Sequence, residues 1–244
     1  LDEAREKLRR GMNVLIREGS VARNLDALMP LITVENSLSI SFCTDDRNPL
    51  DIEESGHIDS MIRRALESGC NPLAVYRAAS WSAARNFGFN DYGLLAPGYR
   101  ADIVLLSNFE TCSVHAVLKH GEFVDDAMFA KRPAEPSAAC FYNSIYRNAV
   151  VASDFAKKSN SASTRVIGIQ PMSLITDDLK CELPKNANDE LLPDLENDII
   201  KIAVLERYGK NGTLACGFVK GSGISNGAIA SSVGHDSHNI CVIG

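Results

Sequence analysis

Leu38-Ser39-Ile40-Ser41-Phe42-Cys43-Thr44-Asp45-Asp46-Arg47 carries a short apolar strand straight into two carboxylates and a guanidinium. A carboxylate at the end of a buried strand is desolvated unless it has a partner or a task. The residues before it repeat the arrangement: Met12-Asn13-Val14-Leu15-Ile16 reads as a second buried strand, closed by Arg17-Glu18-Gly19-Ser20. Between the two strands, apolar Val21, Leu25, Leu28, Met29 and Ile32 follow helical spacing. Ser20 stands where it would cap that helix. Upstream, Asp2 to Leu8 is helical in pattern and Gly11 stops it. Downstream, Ile58, Met61, Ile62, Ala65 and Leu66 share one helical face, with Gly69 just past its end. Asn71-Pro72 starts another helix, Asn at the cap and Pro in the first turn, that runs through Ala74, Ala78, Ala79 and Ala83 to Gly88. This alternation predicts a parallel sheet with crossover helices. In such sheets chemistry gathers where the strands end, and both polar clusters fall there.

Working outward, Tyr92 to Val124 reads as β. Ala96-Pro97-Gly98-Tyr99 is a turn, Ala101 to Leu106 a strand, and 114–118 with 122–124 a hairpin about Lys119-His120-Gly121. Residues 126–165, with Pro133, Pro136 and a polar run at 157–161, read as a connector with one short helix. A third block, 166–244, has strands at 166–169, 199–206, 214–219 and 228–233, a polar loop at 185–198, and an apolar run of strand character at 240–244.

Composition narrows the function classes. The chain has 244 residues, 45% of them hydrophobic, as in ordinary globular proteins, so broad disorder is not expected. The net charge of −6 argues against a nucleic-acid-binding face. No apolar run reaches the roughly 18 residues that span a bilayer. Seven scattered Cys read as reduced cytosolic thiols rather than a disulfide framework. The chain opens on Leu1 inside a helical pattern and stops inside strand character, which leads us to expect a piece of something longer.

Three clusters could carry chemistry. Asp45-Asp46 could bind a divalent cation, act as a general base, or do both; it could equally be a solvated loop with an aspartate capping a helix. Arg17, Glu18 and Ser20 could line a substrate, or pair with neighbours and cap. In Gly234-His235-Asp236-Ser237-His238-Asn239, the i, i+3 imidazoles could share a metal, or form a polar turn. His57, near a helix start, reads as a capping or packing residue. No HxH, CxxC or HExxH occurs, so no complete metal site is visible.

Several of these segments occur in the order and spacing of a known family. They are Ile16-Arg17-Glu18-Gly19-Ser20, Phe42 to Arg47, Gly56-His57-Ile58-Asp59, Ala96 to Asp102, Leu205-Glu206-Arg207, Gly217 to Gly221 and Ser231 to Asn239. Together they resemble the bacterial adenine deaminases of the amidohydrolase superfamily. The resemblance implies an α/β chain: the C-terminal part of a (β/α)₈ TIM-type barrel over 1–92, with 38–43 as strand eight. Strands of a small β-sandwich domain follow over 93–125, then the connector, then a truncated α/β C-terminal domain over 166–244. It implies hydrolysis of adenine to hypoxanthine and ammonia in purine salvage, in the cytoplasm, by a parent enzyme that is a homo-oligomer. Metal-bound hydroxide, on Mn²⁺ or Fe²⁺, attacks C6 in that family. Asp45 matches the acidic residue that binds metal and carries the proton, with Asp46 as the fallback. Arg17, Glu18 and Ser20 become candidates for lining the purine pocket, and His235 and His238 accessory candidates without a role. The family's HxH motif and its other metal ligands are absent, so these 244 residues alone are expected to be inactive. The alternatives are a related amidohydrolase acting on another aminopurine or a cyclic amide, and a non-catalytic remnant of the scaffold.

Overall fold

The computed structural model describes residues 1–130, 145–161, 163–233 and 237–244. The chain is mixed α/β and divides into two compact units, Leu1–Ala134 and Glu135–Gly244. The division falls inside the stretch read as a connector.

In the first unit, α1 (Asp2–Arg9) leads to β1 (Val14–Arg17), then a short α2 (Leu25–Leu28) and two 3₁₀ turns, then β2 (Ile40–Cys43). The strands pair in parallel, Val14 opposite Ile40 and Arg17 opposite Cys43, so both end at one edge. Helices α3 (Pro49–Ser55), α4 (Ile58–Glu67), α5 (Pro72–Ala79) and α6 (Trp81–Asn86) follow. Ile16, Ile40, Met61, Ala65, Ala74, Val75 and Ala78 are all fully buried in one core. The alanines of α4 and α5 let these helices approach closely, as their spacing predicts. Asn71 caps α5 as expected: its Oδ1 accepts from Leu73 N at 3.0 Å and Ala74 N at 3.3 Å.

Two expectations fail here. The helix predicted over 21–32 is only the four residues of α2, followed by a 3₁₀ turn at Met29–Leu31. Pro30 has no N–H to donate, and Val21 N is drawn instead to the Asp46 carboxylate at 3.1 Å. The helix predicted over 71–88 breaks at Ser80 (φ −132°, ψ −84°), which separates α5 from α6.

The β segment forms one antiparallel three-stranded sheet, β3 (Ile103–Asn108), β4 (Ser113–Lys119) and β5 (Glu122–Phe123). His120 and Gly121 both take positive φ (54° and 82°), as a tight hairpin requires. Helix α7 (Asp126–Ala130) closes the described part of this unit.

The second unit holds β6 (Ser163–Ile169), β7 (Thr176–Glu182), β8 (Ile199–Leu205), β9 (Leu214–Lys220), β10 (Ile229–Ser231) and β11 (Ile240–Ile243) in one sheet, ordered β10-β11-β8-β9-β6-β7. All pairs are antiparallel except β6 with β9. Among its described residues there are strands and 3₁₀ turns and no α-helix; the described α-helices all lie in the first unit. Val166, Leu191, Ile199 and Phe218 form its core.

Ile16, fully buried between the strand pair and its helices, is the position at which truncation should tell most. Ile16→Ala should lower unfolding free energy in urea by about 2–5 kcal/mol. Leu73→Ala, on the exposed face of α5, should stay within about 0.5 kcal/mol.

Candidate active site at the ends of the paired strands

The parallel register brings Arg17, the last residue of β1, beside the loop that leaves β2. Arg17 Nη2 lies 2.6 Å from Asp45 Oδ2 and 3.0 Å from Asp46 Oδ1. One guanidinium therefore holds both carboxylates that end the second strand. Asp45 takes φ 50°, a left-handed conformation uncommon for a residue with a Cβ. Asp46 Oδ2 also accepts from Val21 N. Partial burial pushes the Asp46 carboxyl up, but the Arg17 and Val21 hydrogen bonds and the Arg17 charge outweigh it and hold the group below the ordinary range. Asp45 is the more open of the two, with its side chain 57% exposed against 32% for Asp46.

Gly19 lies against this pair. A Cβ there would overlap Asp46 Oδ1 and stand 3.0 Å from Thr44 O, so the absent side chain makes room for the carboxylate.

Glu18 is directed elsewhere. It is 1% exposed, and both its oxygens are engaged: one with Arg64 Nη1 from α4, the other with Leu25 N at 3.1 Å. Arg64 Nη2 in turn binds Asp26 at 2.6 Å. Partial burial pulls the Arg64 guanidinium down, and the two carboxylates more than reverse this, so its net shift is upward. Glu18 thus ties the end of β1 to α4 from inside the protein.

Ser20 does not cap α2. Its hydroxyl donates to Asp51 Oδ2 and accepts from Asn48 N at 2.9 Å. Asn48 caps α3, accepting from Asp51 N at 2.9 Å. The oxygen expected to accept from a backbone N–H of α2 accepts from Asn48 N instead, and the hydroxyl proton goes to the Asp51 carboxylate 31 residues away.

His57 stands at the helix start, as expected, but of the capping and packing roles its sequence allows, side-chain capping is not made: its Nε2 lies 2.7 Å from Thr44 Oγ1 instead. Neither this contact nor the Glu18–Arg64 pair was read from the sequence; a partner that far along the chain leaves no local signal.

His235 lies outside the described residues. His238 takes φ 47°, in the second unit. The structure therefore brings together Arg17, Asp45 and Asp46, leaves Ser20 beside them only through its neighbour Val21, whose N–H binds Asp46, and turns Glu18 inward.

Among the described residues, no group of three His, Cys, Asp or Glu could hold a metal ion. Asp45 offers one carboxylate, already bridged to Arg17. These residues alone do not fit a divalent cation, which needs several oxygen or nitrogen ligands. What the arrangement can do by itself is present an open carboxylate, fixed by a cation, at a strand end. The described cysteines are free thiols. No described helix is long and apolar enough to cross a membrane.

Comparisons with known proteins agree across the chain. Residues 3–124 match the amidohydrolase family, and residues 173–244 match the adenine deaminase C-terminal domain. Adenine deaminase 1 of Agrobacterium fabrum is 53% identical over 242 residues, covering 99% of this chain and 42% of that relative. Adenine deaminase of Brucella suis is 54% identical over 243 residues, covering 100% and 41%. Adenine deaminase of Sinorhizobium fredii is 53% identical over 244 residues, covering 100% and 42%. The chain thus spans about two fifths of the length of these curated relatives.

Two outcomes test the site's electrostatics. Arg64→Ala strands a buried carboxylate and should cost about 3–5 kcal/mol in urea unfolding; a loss under about 1 kcal/mol would mean that water reaches Glu18. Asp46, whose folded pKa is depressed, contributes stability above the ordinary aspartate value of about 3.9, and that contribution fades as pH falls through the lower folded value. Arg17→Met should flatten this acid limb below about pH 4, measured as unfolding free energy against pH.

Proposed function

Because the chain belongs to the amidohydrolase family, we propose that the protein of which these residues form the matched two fifths hydrolyses adenine to hypoxanthine and ammonia. The observation that carries the reading is identity of 53–54% to adenine deaminases along the whole chain, through both the barrel-family and the C-terminal-domain matches. The edge at which Arg17, Asp45 and Asp46 meet supports it, since this is where α/β barrels carry their chemistry.

In this reading residues 1–92 supply the last strands of a (β/α)₈ barrel, β2 being strand eight. Residues 93–125 belong to a small β-sandwich, 126–165 connect, and 166–244 belong to the C-terminal domain. The reaction replaces the C6 amine with oxygen: water adds at C6, and ammonia leaves. Asp45 is the proton carrier. Its open carboxylate takes a proton from the attacking water and returns it to the departing amine nitrogen. Arg17 holds that carboxylate in place and keeps Asp46 ionised beside it. Asp46 braces the loop through Val21 N. Ser20 lies at the rim, where a purine edge would be read, and Glu18 holds the strand end on which that rim is built.

Manganese or iron belongs to the reading through the family. These residues do not supply its shell; what they supply is the Asp45 carboxylate as proton carrier. The same reading puts the enzyme in cytoplasmic purine salvage, as a homo-oligomer.

Adenine-dependent ammonia release by the longer protein decides the matter. Asp45→Asn should abolish turnover with little change in thermal stability, whereas Asp46→Asn should retain measurable turnover. An active Asp45→Asn beside a dead Asp46→Asn would exchange the two roles. The 244 residues alone, with Mn²⁺ added, should release no ammonia.

A further inference from the structure

Asp45 sits at φ 50°, in the left-handed region, which aspartate enters more readily than most residues with a Cβ. The residues on either side of the Asp45-Asp46 turn are held by the segment that leads into α4. On the N-terminal side, Thr44 is 7% exposed, and its hydroxyl lies 2.7 Å from His57 Nε2. On the C-terminal side, Arg47 Nε donates to Gly56 O at 2.8 Å, and its Nη2 to Asp51 O at 3.3 Å. The junction Gly56-His57, immediately before α4, therefore grips the Asp45-Asp46 turn from both sides.

That junction is itself rigid. His57 N donates to Asp59 Oδ1 at 2.7 Å, and Asp59 Oδ2 accepts from Arg63 Nη1 at 2.6 Å. Gly56 takes φ 93°, and a Cβ there would come within 2.5 Å of Asp59 Oδ2 and 2.8 Å of Arg63 Nη2. Partial burial pushes the Asp59 carboxyl up, and the His57 N–H and Arg63 more than offset it, so it remains a firm acceptor. The His57 backbone is thus held at the start of α4, and its imidazole reaches Thr44, the residue before the proposed proton carrier. Its contact with Thr44 is a hydrogen bond in either tautomer.

We propose that His57 is a positioning residue: through Thr44 it sets the backbone, and hence the carboxylate direction, of Asp45. The proposal rests on the role given to Asp45 under the proposed function. His57 touches no reacting atom in it. Its effect is therefore on turnover rather than on binding, and it is lost equally when either end of the Thr44–His57 bond is removed.

The test uses the longer protein with His57→Ala, His57→Gln, Thr44→Val, Thr44→Ser and the double variant Thr44→Val/His57→Ala. Gln can keep a polar nitrogen or oxygen near the Nε2 position, and Ser keeps the hydroxyl. We expect His57→Ala and Thr44→Val each to lower kcat about tenfold at nearly constant KM, Gln and Ser to restore most of it, and the double variant to be no worse than either single. A merely structural histidine would lower the folded yield and leave kcat per folded molecule within about twofold; that result, or losses that multiply in the double variant, overturns the proposal. A second readout needs no turnover. The carboxyl ¹³C resonance of Asp45 should move in His57→Ala and Thr44→Val and return in the Gln and Ser variants. If the unaltered protein does not deaminate adenine, the proposed function falls; the carboxyl resonance still decides positioning, and an unmoved Asp45 signal refutes it.

Discussion

One guanidinium organises the end of the strand pair. Arg17 can reach both carboxylates only because β1 and β2 run parallel and finish level, Arg17 opposite Cys43. Had they been antiparallel, the charge of one strand would lie at the far edge from the other. Slipping the register by one residue would turn Arg17 toward the packed side occupied by Ile16 and Phe42. The hydrophobic pairing of Val14 and Ile16 with Ile40 and Phe42 therefore decides where the charges meet, and the charges then decide how the loops leave. Asp46 pulls Val21 N toward itself, Ser20 turns to Asp51, and the segment that could have been a long helix becomes a four-residue one.

The buried half of the same strand end follows a different logic. Glu18 is enclosed and its charge is met by Arg64 and by a backbone N–H. Arg64 keeps contact with solvent and with Asp26, so the cost of breaking the pair falls on stranding the buried Glu18, several kcal/mol (roughly 3–5). Such a pair acts as a lock on alignment. It admits one placement of α4 against β1, and α4 is the helix whose start carries His57. The inward Glu18 and the outward Arg17, adjacent in sequence, fasten the two sides of the site.

What could be read in advance follows from how local the cause is. The strand ends were legible because an apolar run passes abruptly into charge at Arg17 and at Asp45. The α5 cap was legible because Asn71 bonds backbone two and three residues on. The hairpin at His120-Gly121 was legible for the same reason. Strand β7 was not: Thr176-Asp177-Asp178-Leu179-Lys180-Cys181-Glu182 lies at the sheet edge, and only Leu179 and Cys181 turn toward the core. Its pattern is that of a polar loop. That Glu18 pairs with another residue is one of the two readings its sequence allows, but nothing near it reveals that the partner is Arg64, 46 positions away. Asp45 and Asp46 stand out together in the residue pattern, and only the family resemblance puts Asp45 first. Their difference is one of exposure and backbone angle, which emerges only when the turn is folded.

Gly19 and Asp46 occupy what is, in effect, a single site in space: the volume a side chain would claim at 19 is filled by a carboxylate from the loop that leaves the neighbouring strand. The two positions are therefore not free to change independently in descent. A residue larger than glycine becomes admissible at 19 only in a lineage that has already shortened or redirected residue 46, and the reverse step leaves a gap. Heredity at this edge thus runs through pairs of positions, and comparison of distant lineages should find them changing together or standing still together.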